Sequence, residues 1–159
     1  MRTRTYRTLV ELGGLLGLLV AIFAALEVYV AGLSKICSFS AFVSCGAVLE
    51  SGKTTTLGVP DWVWGIVGFV AIVVLAALAS QHRKDARIAY ALFGVTSAGV
   101  ALAAYLFYVE VGEIHAVCPV CVTAYAFGVI AWVGAFGLAR RAYRQGRSTP
   151  SPPDDPTSV

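Results

Sequence analysis

Residues 118–138 read CPVCVTAYAFGVIAWVGAFGL, a stretch without one charged side chain. Its apolar part, Val120 to Leu138, approaches the about 20 residues a helix needs to cross a bilayer core. Two cysteines stand at its entrance. Pro119 suits the first helical position, because its missing N–H is one that a helix start leaves unpaired anyway. Cys118 then falls at the cap, where unpaired N–H groups and the helix dipole favour a thiolate. Cys121, three residues on, shares that helical face and lies slightly deeper. Tyr125 lies one turn further in, about 6 Å along the axis.

Three more runs match this one. They extend from Leu9 to Ala31, Trp62 to Ala79 and Ile88 to Val109, all rich in Ala, Val, Leu and Gly. The whole chain is 58% hydrophobic and 13% charged, against about 25% charged in soluble domains. So little charge cannot cover a water-facing surface. The fold expected is an all-α integral membrane protein, a four-transmembrane-helix bundle. Gly13 and Gly17 fit the small-xxx-small pattern of close helix contacts, as Gly94 with Ala98 and the pair Gly134 and Gly137 do more loosely.

The basic residues orient the bundle. Arg2, Arg4 and Arg7, then Arg83, Lys84 and Arg87, then Arg140, Arg141, Arg144 and Arg147 all fall on one side of a four-span topology. The other side carries only Lys35 and Lys53, with Glu110 and Glu113 in its second loop. Both termini are expected in the cytoplasm and all four cysteines outside, in a compartment that permits disulfides. The net charge of +3 therefore marks orientation. No nucleic-acid partner is expected, since no run mixes basic and aromatic residues. The first span follows a basic start like a signal peptide, but its apolar stretch is long and no small-residue cleavage site follows it; it reads as a retained helix.

Residues 32–61 form a connection of about thirty residues, where the other loops have about ten or fewer. Long loops are usually functional or disordered, and Phe39, Phe42, Val43, Val48 and Leu49 make this one too apolar for disorder. Residues 39–50 are expected to form a short surface helix lying over the bundle as a lid. The domain division expected is a membrane domain over 1–145 and a disordered cytoplasmic tail over 146–159, which holds four prolines and two adjacent aspartates.

Cys37 and Cys45 lie in the long loop and Cys118 and Cys121 at the fourth span. A four-thiolate zinc site is one reading, although the Cys37–Cys45 gap is wider than zinc spacing. A pair of structural disulfides is another. Against that, a disulfide within one helix cap closes a tiny loop and removes little chain entropy. Redox chemistry is the third, and no metal is expected with it.

The pattern resembles the vitamin K epoxide reductase family, its archaeal and bacterial single-domain type in particular, over residues 8 to 140. The resemblance rests on Cys37 and Cys45 in the first outer loop, Ser51 six residues after Cys45, and Gly58-Val59-Pro60 leading into the second span. It also rests on Cys118-Pro119-Val120-Cys121 followed by Val122-Thr123-Ala124-Tyr125-Ala126. A wide pair comes first and Cys-x-x-Cys opens the last span, the reverse of the order in the DsbB family of four-helix thiol oxidases.

The resemblance implies a bundle around a lipid quinone of the ubiquinone, menaquinone or vitamin K type, capped by the loop. It implies Cys118 and Cys121 as the active-site pair, Cys121 facing the quinone, and Cys37 and Cys45 as a shuttle pair. Tyr125 resembles a tyrosine that hydrogen-bonds a quinone oxygen. Asp61 falls where some members carry an asparagine with the same task; an acid there is a departure, and capping the second span is its other reading. Ser51 reads either as a turn residue or as part of that site. The activity implied is oxidation of a separate thioredoxin-like or DsbA-like protein, with quinone reduction, in support of disulfide bond formation. Alternatives are reduction of vitamin K epoxide, as in animals, and a non-catalytic scaffold with structural disulfides.

Four further residues carry expectations. Glu27 reads either as a functional intramembrane acid or, lying within about a turn of the outer interface, as one that snorkels toward water, which is the reading expected. His115, three residues before Cys118, is either a neighbour that aids a thiolate or a loop bystander. Trp62 and Trp64 read as interfacial anchors, Trp64 also as a lining of the quinone pocket.

Overall fold

The computed structural model describes residues 3–30, 40, 42–49, 55–56, 58–81 and 85–148. Cys37 and Ser51 lie outside the described residues, as do Lys35 and Lys53. Four helices are long and apolar enough to cross a membrane. They are α1 (Thr3–Tyr29), α3 (Asp61–Gln81), α4 (Ala86–Val109) and α5 (Pro119–Ser148). Between α1 and α3 come a single-turn helix, α2 (Cys45–Leu49), and a hairpin of β1 (Thr55–Thr56) with β2 (Val59–Pro60). Its turn includes Gly58 at φ 78, in the left-handed region where glycine is favoured.

The four spans close into a ring. α1 packs against α5 and α3, and α4 packs against the same two, so α1 and α4 lie diagonally opposite. Lipid is as apolar as the helices, so contact depends on close packing rather than on escape from water. The α1 sequence answers this with Val10, Gly13, Gly14, Gly17, Ala21 and Ala24 on its buried face. A side-chain carbon at Gly13 would come within 2.9 Å of α5 backbone at Phe127 and Ala131. One at Gly134 would stand 2.7 Å from the Tyr6 carbonyl. Gly17 contacts the Phe69 ring of α3, so the Gly13/Gly17 pair serves two neighbours rather than one. Gly94 faces open space.

Polar contacts also tie the helices together at the end away from the cysteines. Arg7 Nη2 donates to the Ala79 carbonyl at 2.8 Å, Arg141 donates to Thr3, and the Asp85 carboxylate caps α4 by accepting from the Arg87 N–H at 3.0 Å. Within the bundle, Trp132 Nε1 donates to Ser97 Oγ at 3.0 Å and ties α5 to α4.

Three boundaries differ from those read in the sequence. α5 continues to Ser148, past the 145/146 division; residues 149–159 lie outside the described ones. Among the described residues of 39–50 the loop helix spans Cys45–Leu49, and Cys45 and Val48 are fully buried. It is tucked in rather than laid flat on the surface, because its two inward residues pack on Ala116 and Cys118. And α4 does not end in a loop at Val109. It widens into a π-helical turn, Glu110–Ile114, closed by His115 in the left-handed conformation at φ 57.

Candidate active site

The site lies at the end of the bundle where α2, the π-helical turn and the start of α5 meet. Backbone pairing sets the register. Val43 and Val117 form a parallel bridge, in which the Val117 N–H donates to the Phe42 carbonyl at 2.7 Å and the Ser44 N–H to the Val117 carbonyl at 3.2 Å. Ser44 then starts α2, its hydroxyl accepting from the Ala47 N–H at 3.3 Å, as an N-cap serine does. The next residues along the two paired segments are cysteines. Cys45 and Cys118 are both fully buried, and the Cys118 Sγ lies 3.3 Å from the Cys45 Sγ.

The two sulfurs differ in state. Cys45 is disulfide-bonded, whereas Cys118 and Cys121 are free thiols. The partner of Cys45 lies outside the described residues. Cys118 immediately precedes α5, and its carbonyl accepts the first helical bond, from the Val122 N–H at 3.0 Å. Its sulfur accepts from the Cys121 N–H at 3.2 Å. The Cys118 side chain therefore caps the helix, as the Cys-Pro-Val-Cys order predicts.

A residue assigned to a loop proves central. Glu110 is 1% exposed. Its Oε2 accepts from the Cys118 N–H at 3.2 Å and its Oε1 from the Tyr125 hydroxyl at 2.8 Å. The expected outer-loop position is thus corrected. Glu110 continues the inward stripe of α4, Leu92, Thr96 and Leu106, four residues past Leu106. That spacing is readable in the sequence, but an acid there also reads as the end of a span. Glu27 is corrected for the same reason. It extends the small-residue face of α1 three residues past Ala24, is 3% exposed rather than snorkelling, and has no hydrogen-bond partner for either oxygen among the described residues.

Inside this cap lies a cavity of about 230 Å³. Its walls are mainly apolar, with Ala21, Phe69, Ile72, Val95 and Leu106 among them. Glu110, Cys121 and Tyr125 border it together, as do Asp61 and Trp64. Asp61 is the first residue of α3. Trp62 also lines the cavity and meets Tyr29 edge to face at 5.7 Å. His115 is exposed. An apolar slot with a few polar groups beside a thiol suits a flat, apolar head group bearing carbonyl acceptors.

Compared with known protein families, residues 8–136 match the vitamin K epoxide reductase family. The chain belongs to that family. Vitamin K epoxide reductase family members are membrane oxidoreductases that use quinones and act with a redox partner. This chain is accordingly an integral membrane oxidoreductase with a helical-bundle fold.

Proposed function

We propose that this protein is a thiol–quinone oxidoreductase that reoxidises a separate thioredoxin-like or DsbA-like protein on the extracytoplasmic side of the membrane and so supports disulfide bond formation. The observation that carries this reading is the approach of the free Cys118 sulfur to the disulfide-bonded Cys45 sulfur, at 3.3 Å. Thiol–disulfide exchange needs a thiolate near a disulfide sulfur, and reacting atoms about 3–3.5 Å apart are poised for it.

In this reading Cys37 is the disulfide partner of Cys45 and the first sulfur attacked by the reduced partner protein. Cys45, released as a thiolate, attacks Cys118 when Cys118 is joined to Cys121. The attack forms a Cys45–Cys118 bond and frees Cys121. Cys37, joined to the partner protein until then, is released as that protein forms its own disulfide. Cys37 then attacks Cys45, which restores the outer disulfide and leaves Cys118 and Cys121 as thiols. The disulfide-bonded Cys45 and the free Cys118 and Cys121 are consistent with this last state, in which the electron pair rests on the inner cysteines. A bound lipid quinone supplies a two-electron, two-proton acceptor there. Tyr125, Asp61 and Ser51 bind its head group in this reading. The basic ends of the helices support a topology with both termini in the cytoplasm and the cysteines outside.

The test is quinone reduction by the purified protein with a reduced Cys-x-x-Cys protein as donor. Loss of turnover in Cys118→Ser and Cys121→Ser, with the fold intact, supports the proposal. Turnover that persists in either variant overturns it.

A further inference from the structure

Tyr125 borders the cavity, but its only hydrogen-bond donor is directed at Glu110. A phenol has one O–H, and an ionised carboxylate has none. While Glu110 is a carboxylate, both of its oxygens accept, one from Tyr125 and one from the Cys118 N–H. A carbonyl in the cavity then finds no donor at Tyr125. Adding one proton to Glu110 changes the count. The neutral acid has one carbonyl oxygen, enough for the Cys118 N–H, and one O–H, which can donate to the Tyr125 oxygen. The Tyr125 hydroxyl is then released.

We propose that Glu110 and Tyr125 form a proton-operated donor switch, in which protonation of Glu110 reverses their hydrogen bond and turns the Tyr125 O–H into the cavity. No covalent bond changes, and the one proton taken up stays on Glu110. An acceptor-only ligand such as a quinone holds the switch in the protonated state, because otherwise the freed O–H would be buried without a partner. A ligand that brings its own O–H, such as a quinol, favours the carboxylate, since it can donate to the Tyr125 oxygen. Glu110 thereby links the redox state of the ligand to the cap of the cysteine pair through the Cys118 N–H. The inference rests on the proposed quinone site and adds a positioning residue to it. Other titratable groups lie nearby: Cys121 from α5 and Asp61 from α3 border the same cavity, and Cys118 at the start of α5 and Glu27 from α1 interact electrostatically with Cys121.

The test uses the oxidised protein, which can neither reduce nor be alkylated by menadione, a tail-less naphthoquinone. Menadione binding is followed across pH by tryptophan fluorescence, Trp62 and Trp64 lying at the cavity. The wild type should bind more weakly as pH rises, by up to about tenfold per pH unit where one proton is coupled to binding. Glu110→Gln should bind without that slope. Tyr125→Phe should also lack it, and bind roughly five- to tenfold more weakly than the wild type at low pH, the worth of one hydrogen bond. Infrared difference spectra should show a carboxylic-acid band on menadione binding to the wild type, absent in Glu110→Gln. A slope that survives in Glu110→Gln or Tyr125→Phe, or that vanishes only in Glu27→Gln or Asp61→Asn, overturns the switch. So does a wild type with no slope or no band, a result that does not depend on any variant folding. In those cases menadione still binds and the proposed function stands. Failure of menadione to bind any of the proteins removes the quinone site and the switch together.

Discussion

The free thiol of Cys118 stands 3.3 Å from the disulfide-bonded sulfur of Cys45, held there by the Val43–Val117 bridge. A covalent S–S bond is about 2 Å long, so closing the gap takes a shift of about an ångström. Cys37→Ala should therefore leave a Cys45–Cys118 disulfide linking the loop to α5. The double variant Cys37→Ala/Cys121→Ala, in which only these two sulfurs are present, should form it nearly completely. Peptide mapping without reductant reads the pairing. If Cys37→Ala yields only Cys118–Cys121 and retains full activity toward the partner protein, the relay is wrong.

Packing between α1 and α5 makes a second prediction. A side-chain carbon at Gly134 would sit 2.7 Å from the Tyr6 carbonyl and 2.7 Å from a Val10 methyl. Gly134→Val should lower stability by about 1–3 kcal/mol, the usual effect of overpacking. Gly94→Ala meets nothing within 4 Å, and should be neutral or up to about 1 kcal/mol stabilising, since alanine is the better helix former. Thermal unfolding in detergent compares the two. An equal loss in both would mean that the α1–α5 contact is not closed by these glycines.

Topology makes a third. Basic residues gather at the end of the bundle opposite the cysteines, where Arg7 and Arg141 are anchored. After mild reduction, a membrane-impermeant maleimide should label Cys37 in intact cells. Cys45 and Cys118, both 0% exposed, should stay unlabelled under the same conditions. Labelling of Cys37 that needs permeabilised cells would reverse the orientation.

The spans were legible in the sequence because hydrocarbon imposes a length and a composition that no loop shares. The Cys118 cap was legible because Pro119 can only begin a helix there. Pairing of the loop with the Val117 segment was not legible, since a two-residue bridge has no periodicity. The burial of the two acids is not legible for a different reason. Charge near an apparent span end reads as an interface, and that rule outweighed the i+3 and i+4 spacing that places Glu27 after Ala24 and Glu110 after Leu106. Tyr125 borders the cavity, and the direction of its hydroxyl is not legible because its acceptor, Glu110, reads as a loop residue in the sequence.

Glu27 makes the last prediction. It sits on the face of α1 that otherwise carries only glycine, alanine and valine, and neither of its oxygens has a hydrogen-bond partner among the described residues. A buried polar group left in that state costs about 1–3 kcal/mol, more if it is charged. Nothing in the packing calls for an acid, since an apolar side chain would serve the helix contact better. Glu27→Leu should therefore raise stability by about 1–3 kcal/mol, and Glu27→Gln, which keeps a polar group, by less. The carboxyl lies close enough to Cys121 for their charges to interact. If it is retained for the chemistry, the stabilised variant should lose turnover while its exchange with the partner protein through Cys37 is unchanged. Unfolding midpoints and the two half-reactions, measured on the same preparations, decide this. A Glu27→Leu protein that is less stable than the wild type would show that the acid is a structural element of the bundle. One that is more stable and fully active would show that Glu27 serves neither purpose.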